Sequence, residues 1–186
     1  MNEHVPWIPF EATDWLKKKI YNGDIKTVFE YGAGESTLFF QDRVNQVVTV
    51  EHNETWFKRI KAQINPDVVK LILAPSFKTL HEKEIPTQYV SNMMPKFNFC
   101  DYVESINANE IKYDLVLIDG RARPGCIAAA LSHINLGKYL LLDNSNRGQY
   151  RKAIDSFLLK FAPGYRFHGH GPIEKSAWSA TVWRIL

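Results

Sequence analysis

Residues 26–53 read Lys26-Thr27-Val28-Phe29-Glu30-Tyr31-Gly32-Ala33-Gly34-Glu35-Ser36-Thr37, then Leu38 to Val44, then Val47-Val48-Thr49-Val50-Glu51-His52-Asn53. Two short apolar runs flank a glycine pair and an apolar-polar segment. This order predicts strand, glycine turn, helix, strand and acidic residue, one half of a nucleotide-binding α/β unit. Gly32 and Gly34 allow a tight turn and a close backbone approach to a ligand that a Cβ would obstruct. Ser36 and Thr37 suit a first helical turn, where free N–H groups favour a carboxylate or phosphate. Glu51 follows Gly32 by 19 positions, at the end of the second strand. A carboxylate there can accept hydrogen bonds from both hydroxyls of a ribose.

Two cofactor classes use such a unit. A dinucleotide fingerprint wants a third glycine where this chain has Thr37, and Glu30 would repel a pyrophosphate. An acidic residue directly before the glycines suits a cationic ligand instead. The stretch resembles motif I of the class I S-adenosylmethionine-dependent methyltransferases, acidic-x-Gly-x-Gly-x-Gly, with Ser36 in place of the third glycine. The resemblance implies that Glu30, Gly32, Ala33, Gly34, Ser36, Thr37, Glu51 and the neighbouring His52 form the cofactor site. There Glu30 would face the ammonium and sulfonium of the ligand.

Outward from this unit, Phe10 to Tyr21 reads as a helix, with Trp15, Leu16 and Ile20 at helical spacing. It follows a proline-punctuated lead containing Trp7, and residues 1–24 together form an N-terminal helical lead. Glu54 to Ile64 reads as a further helix and Val68 to Leu73 as a strand. Ala74-Pro75-Ser76 sits at that strand's end, and the resemblance places Ser76 beside the adenine. Residues 75–110 are the least regular part. Within them Phe77 to Asn98 reads equally as a lid or substrate wall and as an insertion with its own small apolar cluster. Tyr113 to Ile118 is the clearest strand and ends at Asp119-Gly120-Arg121-Ala122-Arg123-Pro124. A helix through Ile127 to Ile134 follows, closed by Asn135-Leu136-Gly137. Lys138 to Leu142 is the next strand, ending at Asp143-Asn144, and Tyr150 to Phe161 is a helix. Tyr165 to His168 and Ala177 to Ile185 read as two strands joined without a helix. The predicted fold is therefore α/β: a doubly wound, mostly parallel seven-stranded sheet with an antiparallel C-terminal strand, spanning residues 1–186 as one domain.

The composition narrows the function classes. The chain has 186 residues, 45% of them hydrophobic, enough for one sizeable core. A net charge of +3 is too weak to argue for nucleic acid. The place after the fourth main strand also lacks the Asp/Asn-Pro-Pro-aromatic motif of enzymes that methylate base amino groups. Cys100 and Cys126 form no C-x-x-C pair, so a reducing cytoplasm is the default expectation. No apolar run approaches the ~18 residues that a membrane helix needs. The expected partner is a small-molecule substrate, without nucleic acid or membrane, and oligomerisation is left open.

Strand ends carry the chemistry of such sheets. They supply Glu30, Glu51, Asp119, Asp143 and Asn144. Asp119 with Asp143 and Asn144 offers three oxygen donors on adjacent strand ends, a set that suits Mg²⁺ or Mn²⁺. The pattern resembles the metal-dependent O-methyltransferases of the catechol and caffeoyl-coenzyme A kind, which implies metal binding by Asp119, Asp143 and Asn144. The candidate catalytic residues are Asp119, Arg121 and Asp143, the acceptor hydroxyl being deprotonated either by Asp119 or by a metal held by Asp119, Asp143 and Asn144, and Asp119 also borders the cofactor. Arg121, Arg123, Arg147 and Arg151 are expected on the same rim, where they either recognise an anionic or polyhydroxylated substrate or pair with Asp119 and Asp143. His168 and His170 read as an exposed strand end. The expected activity is O-methylation of a small hydroxylated molecule. The alternatives are a non-catalytic module that binds S-adenosylmethionine or S-adenosylhomocysteine, and an NAD-dependent oxidoreductase.

Overall fold

The computed structural model describes residues 3–79, 85–108, 110–161, 164–173 and 176–186. Helix α1 (Phe10–Tyr21) precedes β1 (Thr27–Tyr31), α2 (Glu35–Gln41), β2 (Gln46–Glu51), α3 (Glu54–Lys61) and β3 (Val69–Leu73). Three short strands follow, β4 (Phe77–Lys78), β5 (Val90–Ser91) and β6 (Met94–Asn98), then α4 (Cys100–Glu104) and β7 (Tyr113–Ile118). The chain closes with α5 (Arg123–Ala130), β8 (Ile134–Leu142), α6 (Arg151–Ala153), β9 (Tyr165–Gly169) and β10 (Trp178–Arg184).

Seven strands form one sheet in the order β3-β2-β1-β7-β8-β10-β9. All neighbours are parallel except β10, which runs antiparallel to both β8 and β9. The C-terminal strand is thus inserted one place in from the edge, and β9 forms the edge itself. Every residue of β7 is buried, as a central strand covered on both faces requires. Its side chains alternate between two cores. Val116 and Ile118 join Phe29, Tyr31 and Tyr102 on one face; Leu115 and Leu117 join Leu16, Phe39 and Phe40 on the other.

Several boundaries differ from the sequence reading: α3 ends at Lys61 rather than Ile64, and the expected Tyr150–Phe161 helix is α-helical at Arg151–Ala153 and π-helical at Ile154–Leu158. Helix α5 stops at Ala130, and β8 starts at Ile134, taking in the Asn135-Leu136-Gly137 segment that reads as a turn. Gly137 has φ 79° there, and the β7–β8 register shifts between Tyr113 and Leu115, so an irregular strand absorbs the turn residues. Part of the irregular 77–98 segment forms a second, three-stranded antiparallel sheet, β4-β6-β5. Residues 80–84 of that expected lid, and Asn109, lie outside the described residues. Among the described residues no helix is long and apolar enough to cross a membrane.

Candidate active site

The parallel ladder continues past the strand ends and fixes the rim. Gly32 N–H donates to Val50 O at 2.9 Å, Asp119 N–H to Tyr31 O at 3.1 Å, and Asp143 N–H to Ile118 O at 3.1 Å. The turns after β1 and β7 meet back to back. A Cβ on Gly32, whose φ is 101°, would lie 2.9 Å from Gly120 Cα. Gly34 is different: a Cβ there would meet nothing within 4 Å. Above these turns lies a cleft of about 680 Å³, lined among others by Gly32, Ala33, Gly34, Ser36, Glu51 and Asp119.

Glu51 is 4% exposed, and its carboxylate is held by backbone donors. Oε2 accepts from Ala33 N–H at 3.2 Å; Oε1 accepts from His52 N–H at 2.9 Å and Asn53 N–H at 2.7 Å. His52 Nδ1 lies 2.9 Å from the same Oε1, and its ring packs 5.5 Å from Phe99. Glu30 is fully buried. Its carboxylate accepts from Ser36 Oγ and, at 2.5 Å, from Thr37 Oγ1. Burial pushes this carboxyl up to about 7, against the opposing pull of the two hydroxyls.

Across the cleft, Arg123 joins two carboxylates. It follows Ala122, which is left-handed (φ 46°), and begins α5 with Pro124 behind it. This turn aims the guanidinium back at the strand ends. Nη2 donates to Asp119 O at 2.8 Å and to Asp119 Oδ1 at 2.9 Å. Nε donates to Gly120 O at 3.0 Å, and Nη1 donates to Asp143 O and lies 3.7 Å from Asp143 Oδ2. Trp178 Nε1 donates to Asp143 Oδ1 at 2.8 Å. The Arg123 and Asp143 side chains are 5% and 3% exposed; that of Asp119 is 24% exposed and faces the cleft. Burial and the nearby charge of Asp143 push the Asp119 carboxyl well above the usual carboxylate range, with Arg123 opposing. Burial likewise raises Asp143, against Arg123 and the Trp178 N–H.

Solved structures share this architecture. A methyltransferase-like protein from Silicibacter pomeroyi superposes with a TM-score of 0.62 over 98% of this chain and 89% of its own, at 19% identity. The O-methyltransferase TomG from Streptomyces achromogenes, solved with S-adenosylmethionine, gives 0.61 over 93% and 80%, at 12% identity. A candidate O-methyltransferase from Klebsiella pneumoniae gives 0.64 over 94% and 80%, at 16% identity. The chain has the class I methyltransferase fold. Neither a protein-family model nor a curated protein sequence matches it.

Within the methyltransferase fold, Gly32, Ala33, Gly34, Ser36, Glu51, His52, Asp119, Arg121, Asp143 and Asn144 line one cleft. Glu30 and Thr37 do not. Glu30 turns into the first turn of α2, where two hydroxyls satisfy it, rather than toward a ligand cation. Thr37 is the partner that holds it there, and also accepts from Gly34 N–H at 2.9 Å. Ser76, which lies just ahead of β4, is also absent from the lining. The four arginines are dispersed. Arg121 and Arg147 line the cleft and Arg123 is locked between the carboxylates. Arg151 lies in a second cleft of about 570 Å³ and pairs with Asp155 at 3.0 Å. His168 is tied across the sheet edge to Ser179 Oγ at 2.9 Å.

The oxygen set Asp119, Asp143 and Asn144 does not fit a divalent metal. Both carboxylates already face one guanidinium, and Asp143 Oδ1 is taken by an indole N–H. Among the described residues no group of three His, Cys, Asp or Glu side chains could hold a metal ion. The sequence reading places no tryptophan at the site, yet Trp7, Trp56 and Trp178 all line the cleft. Trp56 follows its helix N-cap Asn53, whose side chain accepts from Trp56 N–H at 2.9 Å. That cap was the available signal, since a residue in a first helical turn at a strand's C-terminal end sits on the rim.

Proposed function

We propose that this chain is an S-adenosylmethionine-dependent methyltransferase that methylates a hydroxyl oxygen of a small, anionic acceptor. The observation that carries the reading is one cleft at the strand ends, with a glycine turn and Glu51 on one wall and the partly exposed carboxylate of Asp119 on the other. The residues present fit the cofactor. Gly34 leaves open space where a side chain would intrude, and Glu51 presents a carboxylate at the tip of β2 beside the turn. Gly32 to Ser36, Glu51 and His52 would hold the adenosine compound, with Trp56 beside them. S-adenosylmethionine, when bound, supplies an electrophilic methyl group on a sulfonium.

The chain's own residues do the rest. Asp119, raised by burial and by Asp143, is suited to take the hydroxyl proton of the acceptor as that oxygen becomes nucleophilic. Arg123 and Asp143 position Asp119. Arg121 and Arg147 line the same cleft, and neither has a carboxylate partner among the described residues. Among the described residues Arg121 Nε is buried without a hydrogen bond, and its Nη1 donates to Met93 Sδ at 3.0 Å. Two such guanidiniums suit an acceptor bearing a carboxylate or phosphate. The remaining rate enhancement comes from holding the acceptor in line.

The test is methyl transfer from labelled S-adenosylmethionine to a panel of hydroxylated acids and sugar phosphates. Label appearing on an acceptor oxygen supports the reading. If S-adenosylhomocysteine binds while every acceptor stays unlabelled, the chain is a binding module instead.

A further inference from the structure

The Asp119–Arg123–Asp143 cluster is a cation site with its cation built into the chain. The guanidinium donates to Asp119 O, Asp119 Oδ1, Gly120 O and Asp143 O, and faces Asp143 Oδ2 at 3.7 Å. A guanidinium has five N–H donors. Four of these oxygens take hydrogen bonds from this one and the fifth, Asp143 Oδ2, stands at ion-pair distance, so the guanidinium is directed at Asp119, Gly120 and Asp143. It is not free to swing away. Its side chain is 5% exposed, and the Tyr150 ring stands 5.7 Å from its central carbon. The left-handed Ala122 and the Pro124 behind it fix the start of the helix from which it projects. A divalent ion between the same carboxylates would sit within a few ångströms of this fixed positive charge, at strong repulsion.

We infer that Arg123 occupies the place between Asp119 and Asp143 that a divalent cation would need, so that the cleft works without metal and without chelation by paired acceptor oxygens. Arg123 is then a positioning residue. It holds the Asp119 carboxylate at the cleft wall and keeps Asp143 compensated behind it. A metal-built site would select acceptors with two neighbouring oxygens. Here one hydroxyl beside Asp119 suffices, and the acceptor's charge is met by Arg121 and Arg147. The acceptor half of this inference rests on the methyl-transfer reading; the cation half does not, and the two fail separately.

Mn²⁺ alone, followed by its paramagnetic resonance signal, reads the cation half without any activity. Wild-type protein leaves the free-ion signal unchanged, whereas Arg123→Ala or Arg123→Gln takes up one ion per chain, at least about tenfold more tightly than wild type. A folded Arg123 variant that stays silent overturns the inference. So does wild-type uptake that Asp119→Asn abolishes. If circular dichroism shows that neither Arg123 variant folds, the wild-type comparison decides alone: no uptake supports the inference, and uptake lost in Asp119→Asn overturns it. For the acceptor half, methyl transfer unchanged by a chelator supports the inference. Transfer lost to the chelator and restored by Mg²⁺ overturns it. Absence of transfer under every condition fails the methyltransferase reading and leaves the Mn²⁺ result standing.

Discussion

The indole Nε1 of Trp56 donates to the backbone carbonyl of Ala33 at 2.6 Å, fastening α3 to the glycine turn. Arg59 lies over the same indole at 4.7 Å, and Trp7 stands 6.1 Å away across the cleft mouth. A ligand settling on the turn must therefore perturb Trp56. Titration with S-adenosylhomocysteine is expected to change tryptophan fluorescence in wild type and to change it far less in Trp56→Phe. The lost hydrogen bond is worth about 1 kcal/mol, so Trp56→Phe should weaken binding roughly five- to tenfold.

Gly32 and Gly34 separate folding from binding. Gly32→Ala meets both a left-handed φ and the Gly120 backbone at 2.9 Å, and is expected to destabilise the protein by about 2 kcal/mol or more. Gly34 has an extended φ of 179° and open space at its Cβ position. Gly34→Ala should keep its unfolding midpoint within about 1 kcal/mol of wild type yet lose cofactor affinity. Urea unfolding and calorimetry on both variants check the pair.

Glu30 gives the fold a pH dependence of known sign. Its folded value of about 7 lies above the ordinary 4.5, so between those values the folded state holds a proton that the unfolded chain releases. The stabilisation is fully present below about 4.5 and is lost as pH rises through about 7. At ~1.4 kcal/mol per pH unit the whole span is on the order of 3 kcal/mol. The stability difference between wild type and Glu30→Gln should therefore shift against wild type as pH rises across that window. A difference that stays flat in urea unfolding from pH 4.5 to 7.5 contradicts the burial argument.

Asp119 and the two cleft arginines divide the catalytic work. Asp119→Asn is expected to lower kcat about 10²–10⁴-fold while leaving S-adenosylhomocysteine affinity within a few-fold. Arg121→Ala and Arg147→Ala should instead raise KM for an anionic acceptor by about tenfold each, with smaller effects on kcat. Steady-state kinetics on the three variants distinguish the roles.

The fold was legible because its signals are local. The apolar runs ending at Tyr31, Glu51, Ile118 and Leu142 have strand composition and end in turn residues, and the glycines mark where β1 gives way to a helix. The rim residues Asp119, Asp143 and Glu51 were legible for the same reason, since a parallel sheet puts every strand's C-terminal end on one side. What escaped depends on neighbours distant in sequence. Nothing beside Glu30 says that its carboxylate turns to the hydroxyls of Ser36 and Thr37. The Asp119–Arg123 spacing allows an i,i+4 pair, but only the left-handed Ala122 turns that pair toward Asp143, and Trp178 reaches Asp143 from a strand 35 positions later. Pairing with Asp119 and Asp143 was one of two readings of the arginines; only packing decides that Arg123 takes it and Arg121 and Arg147 do not.

The central claim is that the rim cleft is a seat for a charged adenosine compound, and isothermal calorimetry on the wild-type chain tests it most directly. The account predicts one S-adenosylhomocysteine or S-adenosylmethionine bound per chain at micromolar affinity, severely weakened in Glu51→Ala, and no heat with NAD. No binding of either methyl-cycle ligand, or stoichiometric binding of NAD in their place, would contradict it.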